Sequence, residues 1–231
     1  MSPARAPAFR HVVFDLDGTL VDSRADLVSA TNVVLRSFDL PEIDPTTVYS
    51  YVGDGARALV ERALGTARAP RAEEGVRRFL AYYRVHLLDE TRPYPGIEPM
   101  LEALAARSVT LSVLTNKPAD LSRRILDGLG LAHWFHAVVG GDSLPTRKPD
   151  PAGLLGLLAA SGTPCAAGLL VGDSPVDLET AQAAGTAFCG VTWGLAPERL
   201  RACAPPITID EAAAVVPLVE RGAVLAGARA S

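Results

Sequence analysis

Apolar residues follow two different rhythms along this chain. Five short runs are continuously apolar or β-branched: His11 to Phe14, Leu111 to Thr115, Ala137 to Gly140, Gly168 to Gly172 and Ala187 to Thr192, with Ile207 to Ile209 as a shorter sixth. Runs without polar alternation are expected of strands buried on both faces, as in parallel sheets. Helical patterns lie between them, over Pro99 to Arg107, Pro118 to Leu129, Pro151 to Ala160, Asp177 to Ala184 and Glu211 to Glu220. Proline near a helix start and Gly185 just past a helix end match the usual asymmetry of helix termini. Strand alternating with helix predicts an α/β fold, a parallel sheet flanked by helices on both faces.

Residues 24–91 break that alternation. Leu27, Thr31, Val34, Leu35 and Phe38 share one helical face; so do Ala56, Leu59, Val60, Ala63 and Leu64, and again Val76, Phe79, Leu80, Tyr83 and Leu87. No strand pattern interrupts them. The chain is therefore expected to divide into an α/β core, residues 1–23 and 92–231, and an all-helical insert, residues 24–91, with Pro93, Pro95 and Gly96 as the return hinge. A chain of 231 residues accommodates a core domain with one insert of this size.

Composition narrows the partners. The net charge is −4 and no basic run is present, which argues against nucleic acid. No uninterrupted apolar stretch is long enough to span a bilayer, and Met1 to Arg10 lacks the apolar centre of a signal peptide. Cys165, Cys189 and Cys203 are odd in number and form no CxxC pair, which fits a cytoplasmic protein in a reducing environment. Of 22 basic residues only Lys117 and Lys148 are lysines. Either this is chance, or both places want a compact ammonium rather than a planar fork.

Candidate chemistry gathers just beyond the strands. Asp15 and Asp17 are two apart at a strand end, so both carboxylates can face one site. Asp173 and Asp177 follow a second buried strand. A helix N-cap would account for one of these two, not both. Four carboxylates at neighbouring strand ends repel unless a cation compensates, and oxygen ligands with water suit magnesium. Thr115 and Asn116 sit between a strand and a helix, where a hydroxyl and backbone N–H groups can cradle a phosphate. Lys148 lies in a loop after another strand; it is either a solvated charge or a group that neutralises an anionic nucleophile and phosphoryl oxygens.

The segments Asp15-Leu-Asp-Gly-Thr-Leu-Val-Asp-Ser23, Thr115-Asn-Lys-Pro118, Lys148-Pro-Asp-Pro151 and Gly172-Asp-Ser-Pro-Val-Asp177 resemble, in order, the four motifs of the haloacid dehalogenase superfamily. The resemblance covers Phe9 to about Pro217. It implies a Rossmann-like core with an inserted all-helical cap. Tyr51 to Leu64, Tyr94-Pro-Gly96 and Gly140 to Lys148 are similar to the bacterial phosphoglycolate phosphatase branch. The resemblance implies a magnesium-dependent phosphomonoesterase that hydrolyses 2-phosphoglycolate to glycolate and phosphate through an aspartyl-phosphate. In it Asp15 is the nucleophile and Asp17 the acid and base, Thr115 and Asn116 hold the phosphoryl group, and Lys148 pairs with Asp15 and the phosphate. Magnesium is held by Asp15, the main-chain carbonyl of Asp17 and Asp173, with Asp177 behind them. In the cap, Gly53 and Arg57 are candidates for binding the substrate carboxylate, with a solvated helix arginine as the other reading of Arg57. Another small phosphate ester or pyrophosphate as substrate, a sugar phosphomutase on the same scaffold, and a catalytically idle binding protein are the alternatives. A halide-displacing relative would not need an acid at Asp17, and a phosphonate-cleaving one would be expected to carry a cap lysine. His11, His86, His133 and His136 are expected to be structural or exposed, and Trp193 to pack in the core rather than approach the site mouth, the other place open to it.

Overall fold

In the computed structural model, six parallel strands form one sheet in the order β5-β4-β1-β6-β7-β8. They are β1 (His11–Phe14), β4 (Thr110–Leu114), β5 (Ala137–Val139), β6 (Gly168–Gly172), β7 (Ala187–Val191) and β8 (Thr208–Ile209). Two further strands of two residues, β2 (Val21–Asp22) and β3 (Arg92–Pro93), form a separate antiparallel pair. The structure describes residues 7–221, without the side chains of 67–69. The start of the Met1 to Arg10 segment and the alanine-rich tail lie outside the described residues.

The strands divide the core in two. Val12 and Phe14 of β1, Leu111 and Val113 of β4, and Leu169 and Val171 of β6 belong to one apolar cluster. That cluster includes Ile97 and Leu101 of α5 (Ile97–Ala105), Leu121 and Ile125 of α6 (Ala119–Gly128) and Val219 of α10 (Val215–Arg221). Val13, Leu114 and Leu170 belong to a second cluster. This one includes Leu154 and Leu158 of α7 (Ala152–Ala160), Leu178 of α8 (Pro175–Ala184) and Leu200 of α9 (Pro197–Ala202). Successive strand residues point to opposite faces, so a run apolar at every position is what a sheet covered on both sides requires. The expected Rossmann-like α/β arrangement is therefore present.

The helical insert leaves the core through β2 and returns through β3, whose register sets Val21 against Pro93 and Asp22 against Arg92. Between them run α1 (Arg24–Arg36), α2 (Pro45–Tyr51), α3 (Ala56–Leu64) and α4 (Ala72–His86). Leu27, Val34 and Leu35 of α1, Leu59, Val60 and Leu64 of α3, and Phe79 and Tyr83 of α4 are buried together in the first cluster. Asp26 fastens the base of the insert. Its buried carboxylate accepts hydrogen bonds from Glu90 N (3.0 Å), Thr91 N (2.9 Å) and Thr91 Oγ1 (2.7 Å), which ties the first turn of α1 to the returning chain.

Four features depart from the expected element list. The β2–β3 pair is too short to show as an apolar run. Helix α2 buries only Val48, so it has no periodicity to read, although Asp44 caps it and Pro45 opens it. Helix α9 is six residues long. The helix expected over Glu211 to Glu220 opens with a 3-10 turn, Ala212–Ala214, before α10 begins.

Candidate active site

The chain runs from β1 to β4 and β5 on one side of the sheet, then returns to β6 on the other side of β1. Such a reversal opens a crevice beyond the carboxyl ends of the strands. Phe14 is level with Val113 of β4 and Val171 of β6, so the residues that follow emerge along one edge. Asp15 N still donates to Val171 O (2.9 Å) and Thr115 N to Val139 O (3.0 Å), which extends the ladder by one residue and fixes both side chains from the backbone. Beyond Asp15 the chain turns back sharply: Leu16 O accepts from Leu20 N (3.0 Å) and Val21 N (3.1 Å). Gly18 makes this possible. Its φ is +85°, and a Cβ there would lie 2.2 Å from Asp173 Oδ2.

Asp15, Asp173 and Asp177 are buried and can each present an oxygen within 4.8 Å of the others. Lys148, also buried, lies among them, with Nζ 2.8 Å from Asp15 Oδ1 and 2.5 Å from Asp177 Oδ1. The Asp177 contact is an aligned hydrogen bond, whereas Asp15 Oδ1 is held by charge and has no aligned donor among the described residues. Asp177 Oδ2 accepts from Ser174 N (3.1 Å) and Ser174 Oγ (2.6 Å). The cap of α8 is thus Ser174, with Asp177 completing a capping box. Asp173 lies outside the helix, and its Oδ2 accepts from Leu195 N (2.8 Å).

Electrostatics follow from burial. Desolvation, reinforced by the Asp177 and Asp17 charges and opposed by Lys148, pushes the Asp15 carboxyl up to about 6. Desolvation, then Asp15 and Asp177, raises Asp173 well above the usual carboxylate range. Burial works against the Lys148 ammonium, but Asp15 and Asp177 outweigh it and push its pKa up.

Thr115 and Asn116 stand on the other flank of Asp15. Thr115 Oγ1 accepts from Lys117 N (3.2 Å). Asn116 Nδ2 donates to Gly53 O (2.9 Å) and Lys148 O (3.0 Å), so one side chain ties the β4 loop to the Lys148 loop and to the insert. Its Oδ1 is buried without a partner among the described residues. Trp193 packs beside Tyr94 and donates from Nε1 to Thr19 O (3.2 Å), covering the turn that carries Asp17.

Sequence reasoning gave Lys117 no role, yet it is a further link between core and insert. Its Nζ is 2.7 Å from both carboxylate oxygens of Asp17 and 2.9 Å from the Tyr83 hydroxyl on α4. Asp17 Oδ1 also accepts from Ser23 Oγ (2.6 Å). The scarcity of lysine was the available signal. Tyr83 was legible only as one position on an apolar face. Between these groups lies a cleft lined by Asp15, Asp17, Thr115, Lys117, Gly53 and apolar residues of the insert. Arg57 lies outside it: its guanidinium pairs with Glu61 (3.4 Å) and Glu73 on an exposed face of α3.

The sequence profile of the haloacid dehalogenase-like hydrolases matches residues 12–191. The chain belongs to that family. The matched stretch contains all four strand-end segments as well as the helical insert, so the haloacid dehalogenase-like assignment covers the whole site. A phosphoglycolate phosphatase of Rhodospirillum rubrum is 42% identical over 212 residues, covering 88% of either chain. A phosphoglycolate phosphatase of Agrobacterium fabrum is 36% identical over 95% of this chain and 96% of its own. The crystal structure of a predicted phosphoglycolate phosphatase from Haemophilus somnus superposes with a TM-score of 0.84 at 34% identity, covering 91% of this chain and 98% of the other. No helix among the described residues is long and apolar enough to cross a membrane.

Proposed function

We propose that this haloacid dehalogenase-like hydrolase is a magnesium-dependent phosphomonoesterase that hydrolyses 2-phosphoglycolate through a phosphorylated Asp15. The observation that carries the reading is the buried set at the switch point, in which Asp15 faces one ammonium and two further carboxylates. The names borne by the similar proteins support the substrate.

Asp15 attacks phosphorus in line, and the leaving alkoxide takes a proton from Asp17. Asp17 then takes a proton from the water that attacks the phosphorylated Asp15 at phosphorus. One difficult displacement is thereby split into two easier ones. Lys148, anchored by Asp177, is positioned to neutralise charge on Asp15 and the phosphoryl oxygens. Thr115 and the Asn116 main chain border the phosphoryl position.

The donor set fits magnesium. Asp15, Asp17, Asp173 and Asp177 set four carboxylates against the two ammonium groups of Lys117 and Lys148, leaving two negative charges in excess. All candidate ligands are oxygens, which suits a hard divalent cation. Asp15, Asp173 and the Asp17 carbonyl would hold the ion, while Asp177, with both oxygens already engaged, orients Lys148. When bound, the ion offsets the repulsion between Asp15 and an incoming phosphate.

In this reading residues 24–91 form a cap over a core of residues 1–23 and 92–231, and its closure excludes water. Gly53 sits at the seam, its carbonyl bonded to Asn116. The exposed pairing of Arg57 with Glu61 and Glu73 leaves that residue no part in the cleft.

Specificity constants for phosphoglycolate, sugar phosphates, nucleotides and pyrophosphate, with magnesium and with chelator, test the reading. Phosphoglycolate is expected to rank first, and all activity to need the metal. Another substrate ranking first would redirect the assignment, and full activity in chelator would remove the metal from it.

A further inference from the structure

We infer that Lys117 is the specificity-determining residue of this site: its ammonium recognises the carboxylate of the leaving group and hands one oxygen of Asp17 to the reacting centre. The inference rests on the proposed phosphoglycolate reading and adds to it the residue that reads the second anion.

A substrate with its phosphate at Asp15 must place the remainder in the cleft against the insert. The walls there are largely apolar, with Leu27, Leu59, Phe79 and Leu121 among them. A carboxylate entering such surroundings needs a compensating charge. Among the described residues lining the cleft, Lys117 is the only cation.

Its geometry suits an exchange. A lysine ammonium has three donors. Here two are spent on the two oxygens of Asp17 and the third on the Tyr83 hydroxyl. Asp17 needs only one of its two bonds to stay in place, because Ser23 Oγ also holds Oδ1. A substrate carboxylate can therefore take over the donor now directed at Oδ2. That oxygen is then free to address the leaving oxygen of the same substrate. Rotatable donors on a point charge permit this, whereas a guanidinium fork would keep both oxygens of Asp17. In a chain whose other basic residues, Lys148 apart, are all arginine, this position carries lysine.

The insert takes part through Tyr83. Its ring lies under the ammonium at 4.7 Å and is stacked on Phe79 at 5.5 Å, so α4 fixes where the charge sits. Selection by the insert then works through a core lysine rather than through a cation of its own.

The test compares phosphoglycolate with ethyl phosphate, which puts a methyl in place of the carboxylate. The readout is the ratio of their specificity constants in wild type, Lys117→Met, Lys117→Arg and Tyr83→Phe. Loss of one charge-assisted hydrogen bond predicts that the ratio falls about ten- to a hundredfold in Lys117→Met. Lys117→Arg, whose fork keeps both oxygens of Asp17, should also lose most of the preference, and Tyr83→Phe, which preserves the packing should the methionine variant not fold, should lower it roughly two- to tenfold. A preference in wild type that persists in Lys117→Met or is untouched in Tyr83→Phe, with both rates falling together, would overturn the inference and leave Lys117 as a support for Asp17. The phosphoglycolate reading would survive that result. A wild type without any preference for the carboxylate would sink the phosphoglycolate reading itself, and the inference with it.

Discussion

The two ends of β1 bury polar groups four residues apart in opposite ways. At the amino end His11 is fully buried, with Nδ1 2.8 Å from Ser161 Oγ and Nε2 2.9 Å from Ser112 Oγ. Desolvation, helped by His136, pushes its pKa down to about 4, so the ring is neutral and both nitrogens are satisfied. At the carboxyl end Asp15 is 6% exposed, its Oδ1 lacks an aligned donor among the described residues, and three other carboxylates compete for two ammonium groups. Its pKa is pushed up to about 6. Burial is common to both ends. What separates them is whether the partners cancel the cost. A satisfied buried group belongs to the scaffold, and the unsatisfied cluster is the place where, in the proposed reading, a cation and an anionic substrate complete the structure.

Substitutions at the two ends should therefore have opposite signatures. Asp15→Asn should lower turnover on the order of a thousandfold or more, since an amide is a poor nucleophile. The same change should raise the unfolding free energy in chelator by about 1–3 kcal/mol, by removing the cost of a desolvated carboxylate. A less stable Asp15→Asn protein would break the comparison. Lys148→Met should cost on the order of a hundredfold in kcat/KM. It should also destabilise the protein by about 3–5 kcal/mol, because it strands the fully buried Asp177 without its cation; activity assays and denaturant titration check the two effects.

His11→Leu should do the reverse. Unfolding free energy should drop by about 1–3 kcal/mol as two serine hydroxyls lose their partner, with kcat/KM unchanged. The pH dependence sharpens this further. The folded value near 4 lies below the ordinary 6.5, so the unfolded chain takes up the proton first. The stabilising contribution of His11 is complete above pH 6.5 and drains away as pH falls toward 4. Between pH 7.5 and 5 wild type should lose about 2 kcal/mol more than His11→Leu does. Parallel losses in denaturant titrations would show that His11 is not buried neutral.

The core of the site was legible because strand ends are. The runs at His11 to Phe14 and Gly168 to Gly172 match β1 and β6, and β4 is displaced by one residue. Once those strands lie side by side, Asp15, Thr115 and Asp173 must reach one edge. The insert was legible as helices but not as a wall of the site. Tyr83 meets Lys117 across 34 residues of sequence, and no periodicity encodes that contact. Asp26, the buried clasp of the insert, meets Thr91 across 65 residues, and no local pattern marks it. Arg57 does lie in the first turn of α3, but positions 56, 59, 60, 63 and 64 form the apolar face, which puts it on the flank. Glu61, four residues on, was the available sign that it would pair along the helix instead.

The central claim is that Asp15 carries the phosphoryl group. Beryllium fluoride mimics a phosphoryl group bound to a carboxylate, and fluorine NMR separates its protein-bound resonances from free fluoride. With magnesium present, the account predicts bound resonances in the wild type that are lost in Asp15→Asn and retained in His11→Leu. Bound resonances that survive in Asp15→Asn, or none in the wild type, would contradict it.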